Sequence, residues 1–298
     1  MDIGRLLTAM VTPFDGEGRV DHEQARSLAR ALLDSGSDGL VVAGTTGEAP
    51  TLSHDEKLKL FAVVREAVGD RGAVLAGTST NNTAASVELS REAEGTGVDG
   101  LLLTAPYYNK PTQEGLYRHF EAIAGATRLP CVLYNIPSRT GVNMTAETTV
   151  RLSRVPNIVG VKEASGDLVQ IARIVEDAGE GFRVWSGDDA MTLPILAVGG
   201  YGVIAVVAHL VGAQMRRMID DYLAGRTAEA AAVHRRLLPL MQILMTAASN
   251  PAPVKYALNQ IGFRVGATRL PLVEPDEAAA ERITAEVRRH QIDLTVKV

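Results

Sequence analysis

Short runs of aliphatic residues alternate with longer amphipathic stretches along most of this chain. The runs are continuously apolar, which is typical of parallel strands that are covered by helices. The stretches between them place apolar residues at helical spacing, as in residues 21–34, 53–68, 83–94 and 112–126. The apolar runs lie around residues 6–11, 39–42, 74–76, 101–103, 132–134, 158–161, 182–185 and 203–206. This alternation predicts an α/β fold with a parallel sheet.

Eight β/α units at regular spacing favour a closed (β/α)8 barrel, the TIM barrel, over an open doubly wound sheet. Hydrophobicity and spacing alone do not decide whether the sheet closes. Residues that can cap a helix N-terminus precede or open the helical stretches, which supports their boundaries. These residues are Asp21, Ser53, Thr83, Thr112, Thr145 and Asp167.

The strand pattern stops at about residue 227, and helical patterns follow. Residues 227–247 carry one apolar face, Pro251 and Pro253 mark a break, and residues 254–261 and 275–290 are helical by pattern. No linker-like or low-complexity stretch separates this part from the rest. We therefore expect a barrel over residues 1–226 and a helical extension over residues 227–298 that packs against it.

Composition narrows the class of protein and its partners. A net charge of −5 without a Lys/Arg cluster argues against a nucleic-acid surface. No apolar run reaches membrane-spanning length, and the first residues lack the layout of a signal peptide. The single cysteine, Cys131, excludes an internal disulfide and lies in an apolar run, where a buried strand residue is the simpler interpretation. We expect a cytoplasmic protein.

Polar motifs follow several of the predicted strands. In a parallel barrel the carboxyl ends of the strands meet at one rim, where functional residues collect. The motifs are GTTGEAP at 44–50, TAPYYNKP at 104–111, LYNIPSRTG at 133–141, VKEASGD at 161–167 and SGDD at 186–189. The sequence therefore predicts a functional site at this rim.

Lys162 ends an apolar strand, whereas the other lysines lie in polar, helical or terminal contexts. Two-residue alternation places Ile158, Gly160 and Lys162 on one face, with the glycine leaving room for a long side chain. Burial would lower the pKa of the amine and populate the neutral form that attacks a ketone. A lysine that reaches solvent or pairs with Glu163 fits the position equally well.

Several other rim residues have a functional and a simpler structural interpretation. Tyr134 ends the preceding strand at the same height as Lys162 and could relay protons, or be an ordinary core tyrosine. The GTTGE segment could bind a carboxylate through Thr45 and Thr46, or be a structural turn. Arg139 could bind a substrate carboxylate, or be an exposed loop arginine. The 6 histidines show no metal-binding spacing, so no metal site is predicted.

Taken together, GTTGEAPTL, PYYNKPTQEGLYRHF, LYNIPSRTG, NIVGVKEASGD, SGDDA and GVIAVVA resemble the dihydrodipicolinate synthase/N-acetylneuraminate lyase family. The resemblance runs in order from AMVTPF at 9–14 to NPAPVKYAL and RLPL near the C-terminus. It implies a (β/α)8 barrel that forms a Schiff base with pyruvate and needs neither a metal nor an organic cofactor. It also implies a homotetramer built from tight dimers.

The resemblance assigns catalytic roles to four residues. Lys162 matches the lysine that forms an imine with pyruvate. Thr45, Tyr134 and Tyr108 match a hydroxyl relay that moves protons. In the family the second tyrosine of the YY pair reaches the neighbouring subunit's site, so Tyr108 is expected to act across a dimer.

The resemblance also assigns substrate contacts. Thr45 and Thr46 would bind the carboxylate of pyruvate, and Gly187 and Ile204 would line its pocket. Arg139 matches the arginine that recognises the carboxylate of L-aspartate 4-semialdehyde. GTTGE together with SRTG favours condensation of these two substrates, in lysine and diaminopimelate synthesis. Alternatives are another pyruvate-dependent aldolase that uses a sugar-derived aldehyde, or a noncatalytic barrel that binds a keto acid.

The chain departs from the family pattern at two places. Ala205 and His209 stand where many members carry Ser and Asn. The residues matching the family's lysine-feedback pocket are His54, Asn81 and Tyr107, but Lys57 replaces a histidine and Ala85 replaces a glutamate. Adding a cation and removing an anion both disfavour a cationic ligand, so we predict weak or absent inhibition by lysine.

Overall fold

The computed structural model describes residues 3–296, and eight parallel strands close into one barrel in sequence order. β8 pairs with β1, which establishes the closed barrel and excludes the open sheet. The strands are β1 Leu6–Ala9, β2 Gly39–Val42, β3 Ala73–Gly77, β4 Gly100–Thr104, β5 Cys131–Asn135, β6 Ile158–Glu163, β7 Arg183–Ser186 and β8 Gly202–Ala205. Residues 1, 2, 297 and 298 of the predicted domains lie outside the described part.

Helices connect the strands and surround the barrel. They are α1 His22–Asp34, α2 His54–Val68, α3 Thr83–Glu94, α4 Gln113–Ala124, α5 Pro137–Thr140, α6 Ala146–Leu152, α7 Leu168–Asp177, α8 Thr192–Ala197 and α9 Ala208–Leu223. Three more follow α9: α10 Thr227–Thr246, α11 Ala252–Gln260 and α12 Glu277–Val287. No helix within residues 3–296 is long and apolar enough to cross a bilayer.

The predicted residues cap the N-termini of their helices, with one exception. Asp21, Ser53, Thr112, Thr145 and Asp167 all accept a hydrogen bond from a backbone N–H of the first turn. The expectation for Thr83 was wrong: Asn82 caps α3 by accepting from the Ala85 N–H. Thr83 is already helical, and its hydroxyl pairs with the His119 ring instead.

An irregularity in β6 changes which side chains face the barrel interior. Cys131 pairs with Ile158, but the next residue, Val132, pairs with Gly160, so Val159 is an extra residue in the strand. Ile158 therefore packs in the layer between barrel and helices, and its predicted place beside Gly160 and Lys162 was wrong. The space above Gly160 is filled by the ring of Trp185, which lies 2.6 Å from an added Cβ.

The hydrophobic core has two parts. The barrel interior is filled by a cluster that includes Leu7, Val41, Leu75, Leu102, Val132, Trp185 and Ile204. A larger cluster fills the layer between the barrel and the helices, and it includes residues of α10, α11 and α12. The expected break lies between α10 and α11, but Pro253 belongs to the first turn of α11, where a missing backbone N–H breaks no helical hydrogen bond. The helical extension thus shares a core with the barrel.

Candidate active site

Lys162 points into the carboxyl-terminal end of the barrel. It is the fifth residue of β6, and its register partners are Tyr134 on β5 and Trp185 on β7. The side chain is 4% exposed, and its ammonium nitrogen lies 4.4 Å from the centre of the Tyr134 ring. Burial lowers the pKa of Lys162 to about 8, with Asp189 opposing and Arg139 reinforcing the shift. A sizeable fraction of the amine is therefore neutral near pH 8.

Glu163 is not the partner of Lys162, although it follows it in sequence. Its carboxylate lies on the other face of β6 and accepts hydrogen bonds from the Asn135 amide, the Ser165 hydroxyl and the Ser165 N–H. Burial raises the pKa of Glu163. The interpretation of Lys162 as half of a Lys–Glu pair is therefore excluded, and so is a lysine that reaches bulk solvent.

Tyr134 connects Lys162 to the loop after β2. Its phenol lies near the hydroxyl of Thr45, which lowers its pKa, but burial is the larger effect and raises that pKa above the usual value. The ring is 3% exposed. A neutral phenol between an amine and a second hydroxyl can accept a proton on one side while it donates one on the other.

Gly187 follows β7 at a place where a side chain would not fit. A Cβ at this residue would lie 3.2 Å from Cε of Lys162 and 2.8 Å from Cβ of Ala164. The absence of a side chain allows Lys162 to adopt its buried conformation. Ile204, on β8, belongs to the same interior cluster as Tyr134 and is fully buried.

Asp189 is a buried acid that the sequence reasoning missed. Its carboxylate accepts hydrogen bonds from the N–H groups of Val206, at 3.0 Å, and Val207, at 2.7 Å. Burial raises the pKa of Asp189 to about 6, while Lys162 lowers it. The doublet of acids after β7 was visible in SGDD, but nothing in the sequence told which of the two turns inward.

The GTTGE loop is held in a tight turn by residues distant in sequence. Ala43 and Glu48 have positive φ angles of 51° and 56°, a conformation that non-glycine residues seldom adopt. Asn250, just before α11, donates from Nδ2 to Oγ1 of Thr46 at 3.0 Å. Because that oxygen accepts there, the Thr46 hydroxyl proton is free to point at a ligand. Asn250 is a second residue that sequence reasoning missed.

A fully buried ion pair anchors the same loop. Nζ of Lys255 on α11 donates to Oε1 of Glu48 at 2.9 Å and to the carbonyls of Thr12 and Ala267. The other Glu48 oxygen accepts from the Arg269 N–H at 2.9 Å. Every polar group of this pair is thus satisfied, as a buried pair requires. The helical extension thereby fixes the position of Thr45 and Thr46.

A cavity of about 340 Å³ opens onto this loop and is lined by Thr45, Tyr107, Arg139 and Thr140, among others. Lys162 and Tyr134 do not line it directly; Thr45, in its wall, lies near the Tyr134 phenol, and the Tyr134 ring lies against the amine. Arg139 lies on α5, where its side chain is exposed, and it makes no ion pair within residues 3–296. Its guanidinium is free to bind a carboxylate.

Of the four predicted catalytic residues, only Tyr108 does not lie near the others in the structure. Its side chain is 88% exposed, and its φ angle is positive, at 74°. Within the described chain its backbone N–H bonds the carbonyl of Thr140, and its phenol contacts neither Thr45 nor Tyr134. Its predicted role across a dimer stays a prediction.

Two other buried residues have structural roles. The imidazole of His209 accepts from the Val11 N–H through Nε2 and bonds the Val206 carbonyl through Nδ1, and burial lowers its pKa to about 4. Cys131 is buried in β5, and burial raises its pKa to about 12, so it is the strand residue expected. No three His, Cys, Asp or Glu side chains of residues 3–296 are grouped to hold a metal ion.

Comparisons with known proteins agree with this architecture. The model of the dihydrodipicolinate synthetase family matches residues 2–290. A 4-hydroxy-tetrahydrodipicolinate synthase of Dehalococcoides mccartyi (strain CBDB1) is 57% identical to this chain, and the match covers 99% of each protein. A 4-hydroxy-tetrahydrodipicolinate synthase of Moorella thermoacetica is 59% identical, and the match covers 97% of this chain and 98% of the relative. The crystal structure of dihydrodipicolinate synthase DapA-2 from Bacillus anthracis superposes with a TM-score of 0.94 at 44% identity, covering 97% of this chain and 98% of the other. The chain belongs to the dihydrodipicolinate synthetase family of enzymes.

Proposed function

We propose that this enzyme condenses pyruvate with L-aspartate 4-semialdehyde to give 4-hydroxy-2,3,4,5-tetrahydrodipicolinate, for lysine and diaminopimelate biosynthesis. The observation that carries the proposal is the buried Lys162 amine, whose pKa is lowered to about 8 and which lies against Tyr134. A neutral amine in a site of this kind attacks a ketone. The names of the curated relatives supply the product.

The reaction begins with imine formation. The Lys162 nitrogen attacks C2 of pyruvate, and the resulting carbinolamine loses water to leave an imine. Loss of a proton from the pyruvate methyl group gives an enamine. Tyr134, which lies near both Lys162 and Thr45, receives and returns these protons.

The second half joins the two substrates. The enamine carbon attacks the aldehyde carbon of the semialdehyde, and the aldehyde oxygen takes a proton to become the hydroxyl. The amino group of the semialdehyde then attacks the imine carbon, closes the ring and displaces the Lys162 amine. The imine supplies the electron sink for carbon–carbon bond formation, so the reaction requires neither a metal nor an organic cofactor.

Residues at the rim of the barrel account for substrate recognition. Thr45 and Thr46 bind the pyruvate carboxylate, since the Thr46 proton is not used by Asn250. Gly187 and Ile204 line the pyruvate pocket, and Arg139 binds the carboxylate of the semialdehyde. Tyr108 of the partner subunit completes the hydroxyl relay in a cytoplasmic homotetramer assembled from tight dimers.

Borohydride reduction in the presence of pyruvate tests the covalent step. The expected product carries one reduced pyruvyl group on the peptide that contains Lys162, and Lys162→Arg abolishes it. Lys57→Met is the matched control because Lys57 lines the cavity, and this variant should be labelled like the wild type. A folded wild-type protein that gains no pyruvyl group, or gains it on Lys57, would contradict the mechanism.

The choice of aldehyde is tested separately. Turnover with aspartate semialdehyde is compared with turnover of sugar-derived aldehydes, in the wild type and in Arg139→Ala. We expect the wild type to prefer the semialdehyde, and the variant to lose that preference by about 10- to 100-fold in kcat/KM, since a charged hydrogen bond is lost. Equal preference in both proteins would argue against the role of Arg139.

A further inference from the structure

Glu163 is a buried acid to which the proposed mechanism gives no role. The residue is 1% exposed. Its Oε1 accepts hydrogen bonds from the amides of Asn135 and Gln170, the latter at 3.4 Å. Its Oε2 accepts from the N–H of Ser165 at 3.2 Å and from the Ser165 hydroxyl. No cation of residues 3–296 forms an ion pair with Glu163, so neutral donors from β5, α7 and the loop after β6 offset the cost of burying this acid.

Asn135 donates to this carboxylate in a fixed orientation. Its Oδ1 accepts from the N–H of Met144 at 3.0 Å, so Nδ2 is the end of the amide that faces Glu163. Nδ2 also donates to Oδ1 of Asn143 at 2.8 Å. Both ends of the Asn135 amide are therefore used, and the residue is fully buried. The donor and the acceptor of the Asn135–Glu163 bond cannot exchange while these neighbours are in place.

The same two residues form the last rung between β5 and β6. Asn135 ends β5, Glu163 ends β6, and they are partners in the parallel register. The preceding rung is Tyr134 and Lys162, whose amine and ring lie together in the barrel. Since successive residues of a strand face opposite sides, the bonded outer pair lies directly beside the catalytic inner pair. One backbone bond follows, from the N–H of Ala164 to the carbonyl of Asn135 at 2.9 Å. The side-chain bond thus joins the two strands where their paired residues end.

Gln170 connects the same carboxylate to the segment after α5. It lies in the first turn of α7, where its Nε2 donates to Glu163 and, at 3.3 Å, to the carbonyl of Met144. Its Oε1 accepts from Nδ2 of Asn143 at 2.8 Å. Residues of β5, β6, α7 and this segment thus form one hydrogen-bonded network on the outer side of the barrel. Loss of one member leaves other buried polar groups without partners.

We propose that Asn135 and Glu163 are positioning residues for the proposed reaction. Their hydrogen bond holds the ends of β5 and β6 so that Lys162 and Tyr134 keep the spacing that imine formation requires. The inference rests on the proposed function, because the amine that it concerns is the one that attacks pyruvate. A displacement of about 1 Å can lower a rate about 100-fold, so loss of this bond slows the reaction even in a folded barrel.

Exchanging the amide and the carboxylate tests this role. Glu163→Gln retains the size of the side chain, but its new amide faces an N–H donor in either orientation, at Asn135 or at Ser165. This variant should form the pyruvate adduct on Lys162 at least about tenfold more slowly at saturating pyruvate. Adding Asn135→Asp restores one amide and one carboxylate with their roles exchanged, and it should recover most of the rate. Mass spectrometry of the peptide follows the adduct, with cyanoborohydride as a reductant that spares free pyruvate.

A matched pair of variants separates positioning from a general loss of stability. Asn157 precedes β6 at the opposite end of the barrel, where its Nδ2 donates to the carbonyls of Ala124, Thr127 and Leu129. Asn135→Ala and Asn157→Ala both remove an amide from the same pair of strands, and both should lower stability in urea. Only Asn135→Ala should slow adduct formation, by about 10- to 100-fold. The half-saturating pyruvate concentration should change little, because neither residue contacts pyruvate.

The possible failures are distinguishable. Adduct formation at the wild-type rate in Glu163→Gln or in Asn135→Ala, each shown to be folded by circular dichroism, would overturn this inference alone. So would equal slowing in Asn157→Ala, or a double variant no faster than Glu163→Gln. Wild-type protein that forms no adduct would overturn both this inference and the proposed function.

Discussion

At the scale of single residues, Lys162 is tuned by groups that come from different strands. Burial lowers its pKa, the Asp189 carboxylate raises it, and the Arg139 guanidinium lowers it further. Asp189 is itself held by two backbone N–H groups at the end of β8, so its position relative to the amine is fixed. The pH dependence of the reaction should therefore report on this trio.

We expect kcat/KM for pyruvate to rise with pH through about 8 and to level off above it, because in the proposed mechanism only the neutral Lys162 amine attacks. Asp189→Asn removes the charge that favours the ammonium, so the midpoint should move to lower pH. Steady-state kinetics between pH 6 and 10 measure both profiles, and those limits span about two units on either side of the midpoint. A midpoint that stays in place, or moves upward, would show that Asp189 does not act on the amine.

Gly187→Ala tests how closely the amine is positioned. The new methyl would lie 3.2 Å from Cε of Lys162, so the side chain must shift. We expect kcat/KM for pyruvate to fall by roughly 10- to 100-fold. Gly16→Ala is the matched control, since an added Cβ there meets nothing within 4 Å and φ is not positive. Equal activity in the two variants would remove the steric argument.

The sequence predicted the pair Lys162 and Tyr134 because both end apolar strands, and strand ends at one height become neighbours. It did not predict the place of Ile158, because an extra residue in β6 shifts the two-residue alternation and leaves no mark in composition. Asp189 and Asn250 were missed for another reason. Their roles depend on contacts with Val206, Val207 and Thr46 that only the folded chain creates.

At the scale of elements, the helical extension acts on the rim through α11. Lys255 spans from this helix to Glu48, and both side chains are at most 2% exposed. A left-handed residue such as Glu48 persists only when its surroundings hold it in place. The pair therefore stabilises both the loop that carries Thr45 and Thr46 and the seating of the extension.

Lys255→Met should lower the free energy of unfolding by about 3–5 kcal/mol, because it leaves the Glu48 carboxylate buried and alone. Adding Glu48→Gln to that variant should recover part of the loss, since the unpaired charge disappears. Urea denaturation of both single variants and the double variant gives the coupling. A double variant as unstable as the sum of the singles would show that the two residues do not act as a pair.

At the scale of the whole molecule, the closed barrel brings all five polar motifs to one rim, as eight regular β/α units predicted. Periodicity alone left closure undecided, because an open sheet has the same periodicity; the family resemblance implied the closed barrel, and the pairing of β8 with β1 confirms it. Tyr108 is the one predicted catalytic residue that lies away from the others in the single chain. Tyr108 is 88% exposed at the rim, as expected of a residue that contacts the site of another subunit.

Mixing two inactive variants tests that role. Lys162→Met and Tyr108→Phe subunits should each have little activity alone, but a mixed dimer contains one site with an intact Lys162 and an intact partner tyrosine. Random pairing should restore about a quarter of the wild-type activity, since half of the dimers are mixed and each has one good site. Activity that stays at the level of the separate variants after coexpression would place Tyr108 outside the neighbouring site.

The bond from Asn250 to Thr46 bears on how far this protein can be shortened. A chain cut after α10 would retain every β/α unit, yet Thr46 would lose its amide neighbour and Glu48 its counterion. The loop after β2 would then have to be redesigned. The apolar surface that the last helices cover would also have to be replaced by polar residues. The final helices are in this sense part of the rim itself, and a shortened variant without them would first lose the order of the loop that carries Thr45 and Thr46.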